Sequence, residues 1–429
     1  MNKIETSLLA HLKNLLATET RRRLFENFFS LSFLQVANYI FPLITLPYLA
    51  RVLGPEKFGL ISFAQAFIGY FVILTDYGFN LSATREIAIY REDKEKVSEI
   101  FSSVMVIKFF LFFLSLGIMS AIIFTFEKFR QDWDIYYLTF GMVLGQVLFP
   151  VWFFQGMEKM RYITFLNVLA KLIFTIAIFI FVKRSSDYLY VPLLNSLGFI
   201  LAGILALWIV FKDFGVFFRI PSFKDLKYQL KEGWYIFIST VAISLYTISN
   251  TFILGLFTNN VIVGYYSAAE KIVRAIQGLW TSVSQTIFPF FSNLYNKKPE
   301  NAKLLLIKLL KLTGVVSFLI SILGCLFASF IIHIFLGEEY KISVEIFQIL
   351  IFIIFAIGIN NILGVQGLVS FGYGKNFAQV VILGAGFHII LLMILVPKFV
   401  YLGPAIATVS TELFICVVEL FILRKLKLL

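Results

Sequence analysis

Apolar runs long enough to cross a bilayer recur along the chain from Phe28 to its C-terminal end, broken by short polar stretches. A helix needs about 20 apolar residues to span the hydrocarbon core. Spans are expected near 28–50, 58–79, 104–125, 136–156, 163–182, 190–211, 233–256, 263–288, 313–336, 344–369, 377–396 and 403–423. Three breaks are longer than a turn. Leu81–Ser103 reads as an amphipathic helix of mixed charge, and Pro289–Leu312 as its counterpart later in the chain. Lys212–Glu232 holds Gly215, Pro221 and five basic residues and divides the spans six and six. The expected organisation is a segment 1–27, a first lobe 28–211, a linker 212–232, a second lobe 233–423 and a tail 424–429.

The eighth span breaks the apolar rule. Val263–Pro289 carries Glu270, Lys271 and Arg274 near its middle. At helical spacing these join Ser267, Gln277, Thr281, Ser284 and Gln285 in one polar stripe, with Tyr266, Ile272, Leu279 and Trp280 elsewhere. Ionisable residues at that depth face a water-filled cavity or a partner. The span reads as the wall of a polar interior, and that points to transport.

Composition agrees with a bilayer solvent: 59% of residues are hydrophobic, 51 are Phe, and 14% are charged, against roughly 25% in soluble domains. The net charge of +12 does not imply nucleic acid, because basic residues cluster in the breaks. With the N-terminus inside, cytoplasmic segments hold 25 of the 37 Lys and Arg residues and outside loops hold 8, which places both termini in the cytoplasm. Met1–Asn27 has no cleavage site of small residues, and its piece Ser7–Ala17 is an amphipathic candidate for the membrane surface. Cys325 and Cys416 lack metal-ligand spacing and read as packing residues.

The halves echo one another. Shifted by 205 positions, Leu49, Gly59, Ser62 and Ala64 fall on Leu254, Gly264, Ser267 and Ala269, with Gln65 over Glu270 and, in a second echo, Pro192 over Pro404. An even number of spans per half gives both repeats one orientation, about an axis along the membrane normal. The expected fold is therefore all-α and integral to the membrane: twelve transmembrane helices in two six-helix lobes around a central cleft.

Three segments carry a resemblance: PLITLPYLARVLGPEKFG (Pro42–Gly59), DYGFNLSATREIA (Asp76–Ala88) and GYYSAAEKIVRAIQGL (Gly264–Leu279). They are similar to the signature of the polysaccharide-transporter family, and the chain resembles a Wzx-type lipid-linked oligosaccharide flippase. The wider superfamily includes multidrug exporters and lipid II flippases. The resemblance implies alternating access and a cargo of oligosaccharide on polyprenyl diphosphate, carried to the outer leaflet of a bacterial inner membrane. It also implies H⁺ or Na⁺ as coupling ion, no other cofactor, and possible company of other polysaccharide-assembly proteins.

The residues fit such a cargo. A diphosphate is multiply anionic, and Lys171, Lys271 and Arg274 would offset its desolvation. Arg51, before Gly54–Pro55, is counted with these cations as cargo-binding and reads either as an interface anchor or as part of an outer gate. Gln65, Asn250, Gln277 and Thr281 are candidates for the polar lining. Glu270 would hold a coupling ion or simply pair with Arg274 one turn on, and Glu412 with His388 would relay a proton or pack. Asp76 and Arg85 are expected as a local pair or a cytoplasmic gate, and Lys108 as a residue snorkelling to the surface. Pro42, Pro47, Pro150, Gly384 and Gly386 mark potential kinks.

Two other readings share the architecture or the membrane. A cationic-drug antiporter would need net acidic charge in its cleft, whereas Lys108, Lys171, Lys271 and Arg274 outnumber Glu270 and Glu412. A membrane polymerase or ligase would need a large outside loop with catalytic residues, and no expected outside loop exceeds about ten residues.

Overall fold

The computed structural model describes residues 19–429, so the expected surface helix at Ser7–Ala17 lies outside the described residues. Among those residues the chain is helical, with no strand. Helix α1 (Glu19–Asp76) folds back at Gly54, whose φ of 68° and ψ of 173° leave the helical region and whose missing Cβ permits that conformation. Pro42 and Pro47 lie within α1 without breaking it. α2 (Phe79–Tyr90) and α3 (Lys94–Thr125) follow. The single helix expected over Leu81–Ser103 is thus two, because Asp93 stops one and caps the next, accepting the Lys96 amide at 3.0 Å.

The first half continues with α4 (Trp133–Leu148), α5 (Val151–Gly156), α6 (Met160–Phe181) and α7 (Tyr190–Asp213). Pro150 separates α4 from α5, as a residue without an amide proton should. α8 (Phe223–Thr247) starts ten residues before the expected span, at a capping box in which Ser222 and Asp225 satisfy each other's amides at 3.3 and 3.1 Å. The Ser222 hydroxyl and amide, both donating to it, hold the Asp225 carboxyl below its ordinary range.

α9 (Ser249–Phe257), α10 (Asn260–Lys297), α11 (Pro299–Leu326) and α12 (Ala328–Leu336) come next. The amphipathic helix expected over Pro289–Leu312 is instead the end of α10 and the start of α11, which Pro299 opens in the first turn. α13 (Ser343–Leu350), α14 (Ile353–Asn360) and a π-helical stretch (Asn361–Val369) lead to α15 (Gly374–Phe399) and α16 (Gly403–Lys425). Gly384 and Gly386 sit within a continuous α15.

The chain runs repeatedly between two ends, one marked by Gly54 and the other by the linker at Phe214–Ser222. At the Gly54 end one buried cluster joins the halves, with Leu53, Phe58 and Phe63 packed together with Val263, Tyr266 and Tyr340. At the linker end the core divides. One buried cluster, with Phe101, Trp152 and Phe153, is centred on the first half, with Leu226, Leu230 and Phe237 of α8 packed against it; another, with Phe291, Leu306 and Leu363, belongs to the second. The molecule is sealed at one end and forked at the other. Across the fork runs a seam between α2 and α8, where Tyr77 stacks on Phe237 at 4.8 Å and Gln229 donates to Glu86 at 2.7 Å.

Candidate functional site

Two cavities lie between the sealed end and the fork, one in each half, with α10 between them. The larger, of about 360 Å³, is walled by α1, α4, α6 and α7, with Phe41, Leu49 and Phe174 among its apolar residues. Its polar groups are Thr45, Gln65, Lys171, Thr175, Asn195 and, reaching across from α10, Lys271. Two cations thus face this space, and no carboxylate is among its lining residues. Lys171 donates to the Asn38 side chain. Lys271 lies 4.5 Å from the Phe58 ring centroid and 3.4 Å from Ser62 Oγ, a cation–π and hydroxyl setting.

The second cavity, of about 60 Å³, takes Asn250, Glu270, Arg274, Gln277, Thr408 and Glu412 in its wall. Arg274 is bound to Glu270 at 2.7 Å and donates to the Thr247 carbonyl at 2.9 Å. The polar stripe of α10 therefore divides, because a residue turns about 100° from its neighbour on a helix. Glu270 and Arg274, one turn apart, look into the second half; Lys271 looks into the first. The pairing expected as one alternative for Glu270 is present. Arg274 does not join Lys171 and Lys271 at one surface.

His388 is wholly buried and bonds Thr411 and Asn250, each at 3.0 Å, while Asn250 donates to Thr408 at 2.9 Å. Glu412 accepts from Asn360 at 2.6 Å. The Thr281 side chain lies outside the described residues.

Two expectations at the linker end are corrected. Asp76 does not pair with Arg85. It binds Asn80 at 2.9 Å and lies 3.7 Å from Lys108, while Arg85 bonds Glu232 across the seam at 2.8 Å. Lys108 does not snorkel: it is 3% exposed, since α4 and the end of α1 cover it and supply both Asp76 and the Gln146 carbonyl.

At the sealed end Arg51 stands apart from both cavities. It donates to the His333 and Ile334 carbonyls at the C-terminal turn of α12. Lys128, which the pattern of spans did not single out, does the same for α9, donating to the carbonyls of Gly255, Leu256 and Thr258. Both cations come from the first half and cap helices of the second, where free carbonyls and the helix dipole favour positive charge.

Residues 24–295 match the family described as polysaccharide biosynthesis protein. The chain belongs to that family. A protein of Escherichia coli K12 named "Putative O-antigen transporter" is 32% identical over 404 residues, covering 94% of this chain and 97% of its own. A Shigella dysenteriae protein of the same name is 30% identical over 403 residues, covering 94% and 100%. These relatives are named as transporters, in line with the expectation of a membrane protein that is not an enzyme. Among solved structures, an inward-facing multidrug resistance MATE family transporter of the MOP superfamily superposes with a TM-score of 0.67 at 15% identity, covering 93% of this chain and 99% of that one. Lipid II flippase MurJ in an inward closed conformation gives 0.65 at 15% identity, covering 93% and 87%. An outward-facing MATE transporter gives 0.57 over 94% and 95% of the two chains at 15% identity. The family member is thus a multi-pass, all-helical membrane protein with the fold these transporters share.

Proposed function

We propose that the protein is a flippase for oligosaccharide on polyprenyl diphosphate, moved from the cytoplasmic to the outer leaflet of a bacterial inner membrane. The observation that carries this reading is the larger cavity, in which Lys171 and Lys271 face an apolar space with no lining carboxylate. A diphosphate entering it would meet two cations, whose attraction offsets part of the cost of leaving water. Asn195, Gln65 and Thr45 offer hydrogen-bond partners for sugars, and the polyprenyl tail would stay in lipid. A cationic drug fits such a lining poorly.

The forked end faces the cytoplasm in this reading, as the excess of basic residues there suggests, and both termini are cytoplasmic. Closing the fork and opening the Gly54 end would complete alternating access. Coupling to H⁺ or Na⁺ falls to the second half, with Glu270, Glu412 and His388 as candidates. Membrane lipid and other proteins of polysaccharide assembly are the partners.

The test is genetic and chemical. A deletion strain is expected to lose surface glycan and to accumulate a lipid-linked oligosaccharide on the cytoplasmic face. The Lys171→Glu/Lys271→Glu variant is expected to reach the membrane at normal abundance yet fail to restore glycan. Full restoration would rule out the cationic cavity as the cargo site.

A further inference from the structure

Glu419 of α16 is completely buried, and among the described residues neither of its carboxylate oxygens has a hydrogen-bond partner. It lies two turns beyond Glu412, about 10 Å along the axis at 1.5 Å per residue. Its carboxylate abuts the π-helical stretch: a Cβ added to Gly364 would fall 2.3 Å from Oε1 and 2.7 Å from the Phe377 ring of α15. The titratable groups that face it are Glu412 and Cys416, both on its own helix. From the packed neighbours come Gly364 and Phe377, which carry no charge, and among the described residues no Lys or Arg forms an ion pair with it. Nearer the Gly54 end, Asn360 of α14 holds Glu412, and Asn250 of α9 with His388 of α15 gathers at Thr411.

An ionised carboxylate in such a place, without donors or a counter-charge, costs several kcal/mol even after relaxation. A bound proton removes the charge and asks for no donors. Among the described residues no group of three or more metal-ligating side chains gathers here or elsewhere. The connection outward is through α16 itself, because Glu412 lines the second cavity and Cys416 lies between the two acids on the sequence. The wide turn of a π stretch, a feature frequent at functional sites, forms the opposite wall.

We propose that Glu419 is a proton-binding site of the second half, filled from the smaller cavity by way of Glu412, and that the proton-loaded acid favours the forked conformation. Loading converts carboxylate to carboxylic acid and nothing else. Unloading returns the proton to water and requires α15, α16 and the π stretch to part enough to solvate the anion. The proton would then couple to movement of the halves without touching the cargo cavity. This deepens the flippase reading, since it names the coupling ion and where it sits.

Infrared spectroscopy of the full-length protein in lipid vesicles tests the site directly. The wild type is expected to show a protonated-carboxyl band that fades as pH rises and that Glu419→Gln lacks. Spin labels on the two halves at the linker end are expected to report a pH-dependent separation in the wild type. In Glu419→Gln the separation stays at its low-pH value throughout, and glycan restoration falls about tenfold or more, as when one coupled step is blocked. Glu419→Asp, which keeps the acid, is expected to retain both the band and a pH response. Absence of the band, a band that no pH removes, or a separation that follows Na⁺ at fixed pH would each overturn the proposal. Because the spectra need no cargo, failure of the flippase reading would show in the glycan assays while the band and its titration persisted.

Discussion

Gly59 and Gly264, 205 positions apart, lie against each other where α1 crosses α10. A Cβ on Gly59 would fall 1.8 Å from the Asn260 carbonyl oxygen and 2.6 Å from the Gly264 amide nitrogen; one on Gly264 would fall 1.9 Å from the Pro55 carbonyl oxygen. The repeat's matching glycines thus meet at the crossing, each making room for the other's backbone. Neither obstacle is a side chain that can swing away. Gly264→Ala is expected to force the crossing apart, with an overpacking cost of about 1–3 kcal/mol. The thermal midpoint should fall, and maleimide labelling of a cysteine placed at Leu53 should rise. An unchanged midpoint and labelling would show that the crossing tolerates a methyl group.

Arg51 and Lys128 cap α12 and α9 from the opposite half, so opening the sealed end must break both sets of bonds. A cation at a helix C-terminus contributes about 0.3–1 kcal/mol. Removing both as Arg51→Ala/Lys128→Ala should shift the two-state population toward an open Gly54 end by roughly three- to thirty-fold, taking the two as additive. Distance measurements between labels on α9 and the turn at Glu127–Arg130 would register the shift. No change in the double variant would mean that apolar packing alone seals this end.

Lys108 is buried and its partner Asp76 half-buried, and losing one strands the other. Lys108→Met is expected to destabilise the protein by about 3–5 kcal/mol, while Asp76→Asn/Lys108→Met should recover much of that loss. Abundance in the membrane and thermal melting of the purified variants read the difference. Equal losses in single and double variants would show that the pair is not coupled.

Arg85, by contrast, is exposed and Glu232 half-exposed, and surface pairs contribute about 0.2–1 kcal/mol. Arg85→Glu should leave abundance nearly unchanged and alter glycan restoration through the α2–α8 seam. Adding Glu232→Arg should return it toward wild type. If the swapped pair restores nothing, the ion pair is not what holds the seam.

Within α10, Glu270 and Arg274 form a unit separate from Lys271. Arg274→Gln leaves Glu270 without its ion partner in the small cavity and is expected to impair folding or transport more than Glu270→Gln/Arg274→Gln. Lys271→Met should lower glycan restoration at normal abundance, by about the same factor whether or not Arg274 is changed. A double-variant cycle linking Lys271 strongly to Arg274 would reunite the stripe.

Much of this was legible along the chain because the bilayer imposes a length on every span and a penalty on every charge within it. The crossing glycines were visible as matched positions in a repeat. The division of the α10 stripe was not, since a helical wheel shows a polar face without saying where a second cavity begins. Lys108 read as a snorkelling residue because it stands one turn inside its span; only the packing of α4 beside it fixes it against Asp76. Glu419 was missed for a related reason. It sits one turn from the basic end Arg424–Lys427, where a carboxylate would ordinarily reach the headgroups, and its burial depends on Gly364 being close enough to cover it.

The forked core sorts damage by kind. Substitutions in either linker-end cluster loosen one arm and should be felt chiefly as lost protein, at whatever rate the survivors work. Substitutions in the shared cluster alter apolar packing common to both arms, which the proposed alternating access would have to remake, so their mark should be speed. A collection of random variants, scored separately for amount and for rate, would redraw that Y from phenotype alone.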